Sequence, residues 1–477
     1  MRKHAVKDAM KHAWRGYSAY AYGKDEVLPV TKGWNSKWGG WGVTLIDSLD
    51  TLYIMGMKSE FKRARNFVAD IDFTKTIEGH HTSVFETTIR VLGGLLGAYE
   101  LSGDELFLKK AVEIADVLMP SFHTSSGIPY PYIDINSQSP IDSNSTNIAE
   151  IGTLQLEFHK LSFLTKNLDY YEKTELIIDI LEKSKKPIKG LYPILVDINT
   201  KELSGKISVG ARGDSFYEYL LKLYIMHGKN KNKYREMYEE FVDSFSQHIV
   251  YRSNDDSKMA FMVELDGETL EPIGIMEHLY PKTFVIACFM PGLLALGSKE
   301  LNRPKDLELA KDLMKTCYYT YKMMPTGLGP ESIEFEFDTS TLKTTNKKTI
   351  RLNVNKNSSK KGEFEPSFSI HKPEYILRPE TVESLMILYR ITENEIYQEW
   401  GWEIFSAIEK YTKTPIAYSA YDNVANTNKI NSWSNSMESF FLGETLKYLY
   451  LLFSPVDYIS LDKYVFNTEA HPLKIIK

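Results

Sequence analysis

The chain has 477 residues, 43% hydrophobic and 25% charged, with a net charge of -6. That is the balance of a globular protein with material for a large core. A mildly acidic chain without a basic stripe argues against a nucleic-acid partner, and no run of about 18 apolar residues is present to enter a membrane. The segment Met1 to Trp14 is sprinkled with Lys, Arg and His and lacks an apolar stretch, so no signal peptide is read there.

Along the chain, apolar segments rich in Gly and Ala alternate with charged, amphipathic ones. The opening segment, Arg2 to Ala19, is amphipathic. Buried helices are predicted to begin near Gly42, Ser83, Ser145, Gly210, Thr283, Arg378 and Ser436. Amphipathic partners follow near Ser59, Gly103, Asn167, Lys233, Pro304 and Glu395. Seven pairs at this spacing predict an all-α toroid, an (α/α)7 arrangement over residues 1–477 as one domain. Three stretches break the rhythm. Ile249 to Ile275 alternates about Asp266-Gly267 and reads as a small β-hairpin. Residues 340–362 read as a solvated loop. Residues 462–477 are short, partly β-like and broken by Pro472.

The first turns of the buried helices hold Asp47, Glu86, Glu150, Asp214, Glu380 and Glu438, with Glu157, Glu218 and Glu383 further along. Each alone suits the positive end of a helix dipole, worth roughly 0.3–1 kcal/mol. Together, on helices apolar almost all round, they must converge on one end of the axial cavity. Such a cluster makes sense if the acids share protons, share a cation or bind a hydroxyl-rich substrate. Glu380 and Glu383, and Asp214 and Glu218, sit at helical spacing on common faces, and Glu86 with Arg90 suits an i,i+4 ion pair. No phosphate-binding loop and no HExxH pair is present.

At these residues the chain resembles the class I α-1,2-mannosidases, glycoside hydrolase family 47. The matching stretches are WGVTLIDSLDTLYIMGM from Trp41, VFETTIRVLGGLLGAYELSGD from Val84, STNIAEIGTLQLEF from Ser145 and GARGDSFYEYLLK from Gly210. They continue with LRPETVESL from Leu377, MESFFLGETLKYLYLLF from Met437 and VFNTEAHP from Val465. The resemblance implies an (α/α)7 barrel plugged by a C-terminal β-hairpin. It implies an inverting exo-α-1,2-mannosidase acting on high-mannose N-glycans, with Ca²⁺ held by Thr468 as cofactor. The alternative within the same fold is a mannose-binding quality-control protein with little catalysis.

By the same resemblance Glu86 and Asp214 are rival general acids and Glu380 the general base. Asp47, Glu157, Arg212, Glu218, His278, Glu331, Glu383, Glu438 and Glu469 become substrate or metal-shell positions, and Arg212 is the feature of members that remove one mannose from the middle branch. Cys288 and Cys317 are where processing members have a disulfide, which implies an oxidising lumen of the endoplasmic reticulum or Golgi. A monomer is expected. Tyr280 to Ala287 departs from the family as an apparent insertion, and Lys372 to Tyr375 replaces its usual residues before LRPE. Asn144-Ser145-Thr146 and Asn357-Ser358-Ser359 have the pattern of N-glycan acceptors.

Overall fold

The structure is a computed structural model. It describes residues 1–253, 259–273, 287–334 and 368–476, and the backbone of strand positions at 275–280, 283–285 and 335. The loop expected at 340–362 lies outside the described residues, as do the side chain of His278, the sequon at Asn357 and, in the stretch from Tyr280 to Ala287, residues 281, 282 and 286 and the side chains before Ala287.

Among the described residues, seven inner helical segments form a closed ring. They are Val43–Asp47 with Leu49–Ile54, Val84–Glu86 running through a π-helical stretch into Gly93–Ser102, and Ile148–Gly152 with Gln155–Thr165. Next come Asp214–Met226, Met290–Leu301 and Glu380–Thr392. A second π-helical stretch, Phe441–Thr445, then leads into Leu446–Leu452. Each packs on the next, and Phe441–Thr445 closes the ring against Val43–Asp47 and Leu49–Ile54. The outer helices Lys58–Asp70, Glu105–Leu118, Leu168–Lys183, Asn232–His248, Pro304–Lys322 and Ile396–Tyr411 each follow their inner partner. Arg2–Tyr20 covers the seventh.

The two ends of the ring differ because their connections differ. Inner-to-outer turns are tight. Gly103, Lys166, Asn302 and Glu393 each end an inner helix in the left-handed region. Asp104 and Asn167 then cap the following outer helices through Leu106 N at 3.0 Å and Asp169 N at 3.1 Å. Outer-to-inner connections are long and fold into small antiparallel sheets. The largest orders its strands 272–273, 264–265, 203–207, 193–197 and 145–147. These sheets surround the end at which the inner helices begin, here called the mouth.

The hairpin expected between Ile249 and Ile275 is present: Glu264–Leu265 pairs with Pro272–Ile273, its turn held by Asp266 accepting from Glu268 N and Thr269 N. A second hairpin, Val250–Arg252 with Ala260–Met262, shares that stretch. One expectation is corrected. The inner helix predicted from Thr283 begins at Met290, and Thr283–Val285 is a strand. Pro291 explains the delay, because proline fits the first turn of a helix and no earlier point inside one.

Cys288, just ahead of helix Met290–Leu301, is disulfide-bonded to Cys317 on its outer partner, with Cα atoms 5.9 Å apart. Closing a loop of 29 residues is worth roughly 3 kcal/mol in the chain-entropy account.

Candidate active site

The C-terminal strands Tyr464–Phe466 and Pro472–Lys474 pair antiparallel, and their connecting turn, Asn467 to His471, rises inside the ring. Asn467 shapes that turn. Its side-chain Oδ1 accepts from Glu469 N at 3.0 Å and His471 N at 2.7 Å. Its amide donates to Ile89 O at 2.9 Å and Glu157 Oε1 at 2.7 Å. His471 lies between Asp50 (2.7 Å) and Asp47 (3.0 Å), and Lys447 bridges Asp50 and the carbonyl of Ala470, each at 2.8 Å. The glycines of GGLLG make room. A Cβ on Gly93 would meet the Asn467 amide at 2.6 Å, and one on Gly97 would meet Asp50 at 2.9 Å.

Almost every side chain around this turn is sealed, but Thr468 is only half-buried. Among the described residues no protein group bonds its hydroxyl, while its amide donates to Tyr219 Oη at 3.4 Å. Glu86, Glu150, Asp214 and Glu380 are likewise half-buried on helices whose neighbours are sealed, so these acids remain partly open at the mouth.

The positive charge here is limited and already engaged. Arg90 is central. Its Nε donates to Glu86 at 2.9 Å, its Nη1 to Glu469 and, at 3.2 Å, to Ser439, and Asp47 lies 3.7 Å away. Trp38 and Phe440 flank its guanidinium at 5.2 and 5.8 Å. Arg378 binds Glu331 at 2.9 Å and stands 3.7 Å from Glu380. Lys222 pairs with Glu218 and lies 3.8 Å from Glu383.

The remaining negative charge is crowded. Burial, with Glu218 and Glu380 nearby, pushes Asp214 up to about 7. Burial pushes Glu157 up to about 7 and Glu383 up to about 8. It raises Glu331 and Glu380 as well, and it lifts Glu444 and Glu469 well above the usual carboxylate range. Glu380 Oε2 and Glu157 Oε2 are buried without a partner. A set of oxygen donors alone, a free threonine hydroxyl among them, suits a hard divalent cation such as Ca²⁺, whose charge would relieve this crowding.

The structure therefore brings Glu86, Asp214, Glu218, Glu380, Glu383 and Glu469 into one electrostatic cluster at the mouth, with Thr468 beside Glu469 on the turn inside the ring. Glu157 lies deeper, bonded by Tyr219 Oη at 2.7 Å. Asp47 is fully sealed behind Arg90, between His471 and Ser439. Glu331 is locked to Arg378. Glu438 stands apart on the rim, bound by Lys37 Nζ at 2.7 Å. Arg212 is exposed in the left-handed region at φ 72, beside Gly213, and its carbonyl accepts from Ala149 N at 3.0 Å. Backbone held so against preference is typical of binding loops. His278 lies in strand Ile275–Tyr280, its side chain outside the described residues.

Glu444 escaped the sequence reading. It sits in the π-helical stretch Phe441–Thr445, is buried, and faces Glu469, Glu380 and Glu383. A π-turn shifts helical phase, so a search at spacings of three and four from Glu438 passes over it. The signal that could have found it is an acid inside an otherwise apolar run, FFLGETLKYLYLLF.

Residues 9–475 match the profile of Glycosyl hydrolase family 47. A mannosyl-oligosaccharide 1,2-α-mannosidase of Arabidopsis thaliana is 42% identical, the alignment covering 100% of this chain and 79% of that protein. The endoplasmic reticulum mannosyl-oligosaccharide 1,2-α-mannosidase of Rattus norvegicus is 41% identical over 99% of this chain and 68% of that protein. The solved α-1,2-mannosidase of Trichoderma reesei superimposes with a TM-score of 0.89 at 31% identity, covering 100% of this chain and 99% of that one. A ring of seven helical pairs, a hairpin risen inside it and a mouth crowded with acids thus coincide with a match along almost the whole sequence: the chain belongs to glycosyl hydrolase family 47.

Proposed function

We propose that this protein is an inverting exo-α-1,2-mannosidase that trims terminal mannose from high-mannose N-glycans in an endoplasmic-reticulum-type lumen. The observation that supports this most is the mouth of the ring, where Glu86, Asp214 and Glu380 stand half-open at the entrances of different inner helices and Thr468 is half-buried on the turn inside the ring. Hydrolysis with inversion needs one carboxyl that keeps its proton and one ionised carboxylate with room for water between it and the sugar. No two of these three are hydrogen-bonded to each other among the described residues.

Asp214, pushed up to about 7 by burial, is the better proton holder; its Oδ1 accepts from Ser215 N at 2.8 Å. Glu86 is engaged by Arg90 and shapes the pocket beside it. Burial raises Glu380, while Arg378 at 3.7 Å opposes that rise and favours the ionised form; its buried Oε2 has no protein partner and is available to a water placed beside it by the substrate. Thr468 would hold Ca²⁺ through hydroxyl and carbonyl, with waters held by Glu383, Glu444 and Glu469, and the bound ion would grip sugar hydroxyls. Arg212, displayed at the mouth, supports the narrow specificity that removes a single mannose from the middle branch.

The test is a time course on a free high-mannose oligosaccharide, resolved by isomer, with and without chelator. Release of one α-1,2-linked mannose, abolished by chelator and restored by Ca²⁺, is expected. Binding without mannose release in the presence of Ca²⁺ would overturn the proposal in favour of a lectin-like role.

A further inference from the structure

Asn144 stands on the connection that leads back to the mouth. It directly precedes strand Ser145–Asn147, whose last residue caps inner helix Ile148–Gly152 by accepting from Glu150 N at 3.0 Å. At about 3.3 Å per strand residue, Asn144 rides on the rim of the mouth. Its side chain is exposed, and among the described residues its carboxamide makes no hydrogen bond. Its backbone is anchored all the same, since its carbonyl accepts from Ile198 N at 2.9 Å.

We propose that Asn144 carries an N-linked glycan, attached before the barrel closes. The inference rests on the lumenal reading above, which the disulfide Cys288–Cys317 supports independently of any name. Asn144-Ser145-Thr146 has the acceptor pattern, and an exposed rim position accommodates a bulky, hydrated substituent without disturbing the core. In the transfer, Nδ2 of Asn144 bonds to C1 of a lipid-pyrophosphate-linked oligosaccharide. The C1–O bond to pyrophosphate breaks, the lipid pyrophosphate leaves with the electron pair, and one amide proton passes to base.

The timing follows from Thr146. The transferring enzyme must read this hydroxyl on a pliable chain. In the folded protein Thr146 is buried, its Oγ1 donates to Glu150 Oε2 at 2.9 Å, and its backbone is paired opposite Val196. The asparagine remains presented, but the third residue of the pattern does not. Transfer therefore belongs to the nascent chain, before strands 145–147 and 193–197 join. The finished glycan stands at the mouth of an enzyme proposed to trim that class of glycan.

The test maps occupancy on protein purified from the cells that make it. An amidase that removes N-glycans converts each occupied Asn to Asp, which peptide mass reads. Asn144 is expected to be occupied in the wild type and in Thr146→Ser, and the glycan to be absent from Asn144→Gln. Ile430→Thr supplies the control, completing an acceptor pattern on Asn428, which like Ile430 is exposed. Asn428 modified with Asn144 bare overturns the proposal and leaves the lumenal reading standing. Both bare overturns the lumenal reading and the proposal with it. For the timing, the folded, unglycosylated full chain is offered to the transferase with its lipid-linked donor beside the same chain reduced and carboxymethylated. Only the unfolded chain is expected to be modified at Asn144; equal modification of both refutes attachment before folding.

Discussion

The mouth of the ring and the levels beneath it, here called the foot, use the same residue types for opposite purposes. At the foot, buried charges are matched. Lys447 faces Asp50, His471 lies between Asp50 and Asp47, and Lys160 bonds Glu100 at 2.6 Å. At the mouth, Arg90, Lys222 and Arg378 confront Glu86, Asp214, Glu218, Glu331, Glu380, Glu383, Glu444 and Glu469. Removing a charge from water is costly wherever it happens. Where a protein matches its buried charges, the pairs join secondary structure. Where it leaves a surplus of one sign, the surplus is completed by something from outside. Burial alone therefore does not separate scaffold from site, whereas the local charge balance does.

The sharpest way to break this contrast is to neutralise one charge at each end. Glu380→Gln removes a carboxylate that has an unpartnered oxygen, so the fold should tolerate it while turnover falls by a factor of about 10²–10⁴. Retained oligosaccharide affinity is expected from calorimetry, and near-normal turnover would exclude Glu380 as the base. Lys447→Met should act in the opposite sense. It strips Asp50 of its lysine, leaving His471 to serve both Asp50 and Asp47, and should cost about 3–5 kcal/mol in urea unfolding. A loss below about 1 kcal/mol would mean the foot is no scaffold.

Thr468→Ala sharpens the same contrast through the metal. The wild type should gain about 2.7 kcal/mol of stability at Ca²⁺ a hundredfold above its dissociation constant. The variant should lose that gain together with activity, whereas Lys447→Met should keep it on a lower baseline. An undiminished Ca²⁺-dependent rise in melting temperature for Thr468→Ala would move the ion elsewhere.

How much of this was legible in the sequence follows the same division. Helix-period patterns and first-turn acids are local, so the ring and most of the mouth could be read directly. Partnerships across the chain could not. Arg378 meets Glu331 from 47 residues away, and nothing near Asp47 announces that His471 will claim it. The mouth sheets were largely missed, because their strands run two to six residues and pair across long connections. Glu444 was hidden by a π-turn. Thr468, being uncharged and on a turn, was visible only through family resemblance; its free hydroxyl among acids is a property of the fold.

The smallest expected effect tests whether the surplus at the mouth is held back by protonation. Asp214 is raised by burial, with Glu218 and Glu380 adding to it. A raised carboxyl binds its proton more tightly when folded. Its stabilising contribution is full below the ordinary carboxylate pKa and is lost as pH rises through about 7. Asp214→Asn carries no ionisation to resist. In Ca²⁺-free buffer the unfolding free energy of the variant relative to wild type should therefore climb by about 2.5 kcal/mol between roughly pH 5 and 8. The slope is ~1.4 kcal/mol for each pH step across which the folded wild type keeps a proton that its unfolded chain has lost. Taking the difference between two proteins cancels the titrating groups that do not interact with Asp214, including His159 and His227, which burial lowers. A flat difference would mean that Asp214 is ionised at neutral pH. The crowding at the mouth would then be relieved by water and cations alone, and Glu86 would become the better proton donor despite its bond to Arg90.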